Sequence, residues 1–163
     1  MTPRPNANPA LALLCMGALV AACTAGSQPI PSGARTVHVV ITDDAVELDP
    51  SVVGAGDVYL VLDEAVHKSF VLFGRQTSAD ASPGPLSEGD IARIGEGDTQ
   101  GTFMTGLDAG GCSAEQDAAA RGQLGPCGNV MKISLSPGLY AILGDSPDAA
   151  GEPLPIGVLE VTP

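Results

Sequence analysis

The side chains able to do covalent or metal chemistry in this 163-residue chain are few: four cysteines, two histidines and four methionines. His38 and His67, together or with Met104 or Met131, make up the set of imidazole and thioether donors that would suit copper. Such a site requires the strand bearing His38 to pair beside the strand led by His67. The simpler account puts His38 on the exposed face of an edge strand and His67 at a strand start. Each is then a solvated side chain, and the methionines fill core. Carboxylates recur in pairs at Asp43-Asp44, Asp63-Glu64, Glu88/Asp90 and Glu96/Asp98. Two rigidly held carboxylates can hydrolyse a glycoside or bind calcium. The Glu88 and Glu96 pairs lie in glycine-rich sequence without the calcium-loop spacing, and read as solvated loop charge. No nucleophile elbow, paired-histidine zinc motif or phosphate loop is present. The expectation is a protein that is not an enzyme.

Cys15 and Cys23 belong to the N-terminal segment. An uncharged run of 13 residues, Ala10 to Ala22, precedes Cys23, and Arg4 is the one charge before it. As a helix rising ~1.5 Å per residue it spans roughly 20 Å, short of a ~30 Å hydrocarbon core. It reads as the apolar core of an export signal with small residues at its cleavage site. Val20-Ala21-Ala22-Cys23 resembles the bacterial lipobox. The resemblance implies a signal peptide over residues 1–22, lipid on the Cys23 thiol, and cleavage before it. The mature chain is then an extracytoplasmic lipoprotein of the cell envelope, attached to the bacterial cell membrane. An ordinary secretory signal, with Cys23 incidental, is the alternative. Stable attachment needs more than one acyl chain, because a single chain binds only marginally.

Cleavage removes Arg4 and leaves six basic against 19 acidic residues, a net charge of −13. Nucleic acid is excluded as a partner by such a surface, since binding there depends on neutralising phosphates. Anionic headgroups repel it too, so lipid rather than protein must hold it at the membrane. Trp is absent and Phe and Tyr total five, which calls for an aliphatic core. Cys112 and Cys127 remain, in an exported chain where disulfides persist. A bridge between them closes a loop of ~15 residues and contributes ~3 kcal/mol. The rival is a pair of thiol metal ligands, but the spacing fits no short zinc or redox motif.

Residues 23–35 have the Pro, Gly and Ser content of a flexible tether. From Thr36 the pattern changes to short β-rich runs. These are Val37–Thr42, Asp57–Leu62, His67–Phe73, Val130–Leu135, Gly138–Leu143 and Ile156–Val161, with Val46–Val53 alternating loosely. Their lengths and turns indicate an all-β sandwich or small barrel over residues 36–163. Residues 74–128 interrupt it with loop chemistry. Within them Ile91–Ile94 and Thr102–Thr105 are weak strand or short-helix candidates. Ser113–Gly122 reads as a capped helix of two or three turns.

Read in order, the runs resemble a cupredoxin-like domain. The segment Val37–Gly74 carries an opening strand, an acid-and-proline segment, the turn Val53-Gly54-Ala55-Gly56, a strand and then His67. The closing segment carries Leu135-Ser136-Pro137-Gly138-Leu139-Tyr140 and Gly157-Val158-Leu159-Glu160-Val161. The resemblance implies an antiparallel, Greek-key β-sandwich with a long loop and short-helix insertion at about 74–128. It also implies His67 as a copper ligand, with Cys, His and Met ligands following Tyr140. Ala141–Pro155 contains none of these three, and Gly144 stands about where the thiolate belongs. The expected function is therefore a lipid-anchored, non-catalytic binding domain with a degenerate copper site. Its partner, an envelope protein or small ligand, meets the loop end of the sandwich. The alternative is an envelope copper-handling protein using His67 with His38 or the methionines.

Overall fold

In the computed structural model the described residues are 28–63, 69–76, 82–108, 115, 121–124, 128–144 and 155–163. They form eleven strands and one helix. The strands are β1 (Gln28–Pro29), β2 (Arg35–Ile41), β3 (Val46–Asp49), β4 (Val52–Gly54), β5 (Gly56–Leu62) and β6 (Ser69–Arg75). The helix α1 (Glu88–Gly95) follows, then β7 (Thr102–Asp108), β8 (Gln123–Leu124), β9 (Val130–Leu135), β10 (Gly138–Gly144) and β11 (Ile156–Thr162). Two sheets face each other. The first runs β1-β8-β9-β5-β2-β3 and the second β4-β11-β10-β6-β7.

The period-2 pattern decides what lies between the sheets. Val37, Val39 and Ile41 of β2 join Val58, Leu60 and Leu62 of β5, with Met131, Ile133 and Leu135 of β9. From the second sheet come Phe70, Leu72, Tyr140, Ile142, Leu159 and Val161. The expected sandwich is thus present, and its core is aliphatic apart from Phe70 and Tyr140 on one face. Its sheets are mixed rather than purely antiparallel: β2 and β5, β4 and β11, and β8 and β9 pair in parallel.

Two strands carry continuous apolar runs because each sheet is covered on its outer face too. Over the second sheet, residues 83–86 cross from β6 to β10. Arg75 and Gly84 exchange backbone hydrogen bonds at 2.7 and 2.9 Å, and Leu86 N–H donates to Leu139 O at 2.8 Å. This strap delivers α1, whose Ile94 is buried with Phe73, Leu86, Ala141 and Leu143. The pair Glu88/Asp90, expected as loop charge, therefore opens a helix, and the short-helix candidate Ile91–Ile94 lies within it. Over the first sheet, Ile30, Ala34 and Leu124 pack on Tyr59, Val61 and Val130. Residues 28–34 are consequently docked rather than a free tether, because Ile30 has an apolar surface to cover.

The 74–128 stretch contributes structure as well as loop. β7 pairs with β6 along seven residues and forms the edge of the second sheet. Asn129 pins the segment before β9 to the core: its side chain accepts from Gly122 N–H and donates to Leu62 O at 2.8 Å. Of the helix expected over Ser113–Gly122, Glu115 is helical and Arg121 and Gly122 form a turn; its other residues, and the bridge expected between Cys112 and Cys127, lie outside the described residues.

Asp90 organises the start of α1. Its carboxylate accepts from Ser87 N–H at 3.0 Å, Ser87 Oγ at 2.7 Å, Arg75 at 3.0 Å and Arg93 at 2.7 Å. Ser87 Oγ in turn accepts from Asp90 N–H at 3.2 Å, completing a capping box. These donors, the Ser87 backbone first among them, hold the carboxyl well below its ordinary 3.8. A depressed folded-state value makes the contribution full above 3.8 and lost progressively as pH falls below it. Thermal melts should show wild type above Asp90→Asn by a constant margin from about pH 5 upward, narrowing under acid. A margin unchanged down to about pH 2 would contradict the assignment.

Candidate functional site

The possible copper donors separate onto different faces of the sandwich. His38 projects from the outer face of the first sheet, where its cross-strand neighbours are Asp49 and Val61. Its Nδ1 lies 3.0 Å from Asp63 Oδ2 and 3.2 Å from Oδ1, in a half-exposed pair. β2 is internal, between β5 and β3, and not the edge strand expected for it. Nor does β2 pair with β6, the strand that follows His67, because the two belong to opposite sheets. Met131 points between the sheets and packs against the core. Met104, 57% exposed, shares a register position with Phe73 on the outer face of the second sheet. His38, Met104 and Met131 therefore cannot converge on one ion. His67 lies outside the described residues, as does Cys23.

Among the described residues no three of His, Cys, Asp and Glu group as a metal site. The acidic pairs are used locally. Asp63 faces His38, Asp90 caps α1, and Asp98 meets Arg93 at 3.4 Å. Asp57, facing Lys132 at 2.7 Å, has its carboxyl held below the ordinary range, chiefly by the hydrogen bond from that ammonium.

The loop end that follows Tyr140 was the expected ligand region. Gly144 closes β10, pairs with Phe70 of β6, and by strand alternation faces the interior like Tyr140 and Ile142. Ile41, fully buried at the end of β2, occupies the space in front of it. A Cβ at residue 144 would fall 2.5 Å from Ile41 Cγ2 and 3.8 Å from Ile41 Cβ and Cδ1. A methyl branch, anchored one bond from the backbone carbon, cannot swing aside cheaply. A thiolate at this position has no room. The position that the resemblance assigns to copper chemistry is a packing contact between the two sheets. Among the described residues that follow Tyr140 none is Cys, His or Met.

Tyr140 explains how the opposite end of β10 is braced. Its ring is fully buried, and its hydroxyl lies 3.0 Å from Ser136 O and 3.3 Å from Pro83 O. Burial raises the phenol above its ordinary 10, so it stays a neutral donor. The hydroxyl thus joins the β9–β10 turn to the strap that carries α1. Gly138, at φ 139°, makes that turn close to the strap as well, since a Cβ there would fall 2.2 Å from Pro85 Cβ. Sequence reading found the Pro-Gly-x-Tyr motif but not the second element that it clamps.

These features define a mostly β sandwich of two mixed sheets with one short helix. A search of protein-family models and one of curated proteins each return no match to the chain. Among solved structures, that of auracyanin B, a cupredoxin, is similar: 16% identical, with a TM-score of 0.41, covering 84% of this chain and 95% of that one.

Proposed function

We propose that this protein is a lipid-anchored, extracytoplasmic interaction domain, non-catalytic, built on a cupredoxin-like sandwich that does not hold type 1 copper. The observation that carries the reading is the Gly144–Ile41 contact, which fills the thiolate position with a core methyl group. The chemistry of the following residues agrees, since 145–155 contain no Cys, His or Met. Copper handling through His67 with His38 or the methionines has no such support, because the described donors point to three different surfaces. The partner is an envelope protein or small ligand that meets a loop end of the sandwich, where loops carry function on a rigid scaffold. Among the described residues no helix is long and apolar enough to cross a membrane; the attachment proposed is the lipid on Cys23.

Lipidation has a direct test. In a bacterial host fed a labelled fatty acid, the wild-type chain should carry label and sediment with membranes. Cys23→Ser should lose the label completely and shift in mass, because the serine hydroxyl cannot replace the thiol in thioether formation. Equal labelling of the two chains would refute the anchor.

A further inference from the structure

The N-terminal segment does more than lead into the domain. Gln28 and Pro29 pair with Leu124 and Gln123 at the far edge of the first sheet. The chain then crosses the outer face of β9 and β5, turns at Pro31–Ala34 through Gly33, and enters β2 at Arg35. Ile30 and Ala34 cover Tyr59, Val61 and Val130 along the way, and Thr36 Oγ1 donates to Ala34 O at 3.3 Å. The strap is thus fastened by a strand pair at one end and by apolar contacts and a turn at the other.

We propose that this strap fixes which side of the domain faces the membrane: the β1–β8 edge lies against the lipid surface, and the β3 edge points away. The inference rests on the lipid at Cys23 proposed above. Residues 24–27 are all that separate that cysteine from β1. Five Cα steps reach at most about 18 Å, so β1 stays beside the headgroups. Six strands at ~4.8 Å spacing then carry β3 about 24 Å further. Charge favours the same pose. Asp43, Asp44, Glu47 and Asp49 all lie in or just before β3, the strand most distant from β1 in the sheet. An anionic bilayer repels that acidic edge. A tether free as far as residue 35 would allow any face to turn toward the membrane, whereas one docked from residue 28 does not. The exposed β3 edge and its flanking turn become the surface offered to partners.

The experiment uses the processed, lipidated mature chain, residues 23–163, in phosphatidylcholine vesicles that carry spin-labelled headgroups. A fluorophore is attached at Gln123→Cys in β8 or at Glu47→Cys in β3, and mass analysis of the N-terminal peptide reports the lipid on Cys23. With lipid confirmed, quenching should be at least about twofold stronger at residue 123 than at 47, given a separation of about 19 Å across four strand spacings. Adding Ile30→Asp, which puts a charge under the strap, should bring the two positions to within experimental scatter while leaving the lipid mass unchanged. Equal quenching in the parent chain, or a difference that survives Ile30→Asp, would overturn the orientation and leave the anchor standing. An N-terminal peptide without lipid would instead overturn the anchor, and the orientation with it.

Discussion

Placing a cysteine at Gly144 should destabilise the protein by about 1–3 kcal/mol, the usual cost of forcing atoms into a packed interior. It should not create a copper ligand. The reason is local: the new Cβ meets Ile41 Cγ2 at 2.5 Å, and Ile41 is itself wholly enclosed. Ile41→Ala removes that methyl and alone should cost about 2–5 kcal/mol through the cavity it leaves. Combined, the two changes should cost less than their sum by about 1 kcal/mol or more, because each relieves the defect of the other. Denaturant melts of the four proteins in this cycle measure the coupling. Additive losses would show that Ile41 does not fill the space in front of residue 144.

A larger loss is expected at Tyr140. Truncation to alanine removes the largest of the fully buried side chains and should cost about 3–5 kcal/mol. Tyr140→Phe keeps the ring and deletes only the donor to Ser136 O and Pro83 O, at a cost of about 1 kcal/mol. The phenylalanine variant should also loosen the strap specifically. Hydrogen exchange at Leu86, whose N–H is bonded to Leu139 O, should speed up more than exchange at Leu60 in the centre of β5. Uniform acceleration at both sites would mean that the hydroxyl contributes only to global stability.

How much of this was legible differs from element to element, for physical reasons. β2, β5, β9, β10 and β11 were readable because β-branched and alternating residues sit between clear turns. The run Val58-Tyr-Leu-Val-Leu62 carries a further signal. A strand apolar on both faces demands a second cover. That cover includes Ile30 and Ala34, two small apolar contributions inside a composition that otherwise reads as linker. The helix α1 has glycine at two of its eight positions and begins within an acidic stretch, so its periodicity is weak. Its capping serine, three residues before Asp90, was the available clue. The edge-strand alternative for His38 fails because β2 lies between β5 and β3. The parallel pairing of β2 with β5 is a long-range choice that no local pattern encodes. For the candidate site, the absence of ligands after Tyr140 was plain from composition, but the steric closure at Gly144 depends on Ile41, 103 positions earlier, across the sandwich.

Copper titration tests the proposal that packing stands where the resemblance would place a metal centre. Cu(I) and Cu(II) are added in turn to the mature chain, followed by calorimetry and visible absorption, with His67→Ala run in parallel. Expected are no sub-micromolar binding, no intense thiolate-to-copper band, and identical traces for the two proteins. Sub-micromolar binding that disappears in His67→Ala would contradict the proposal.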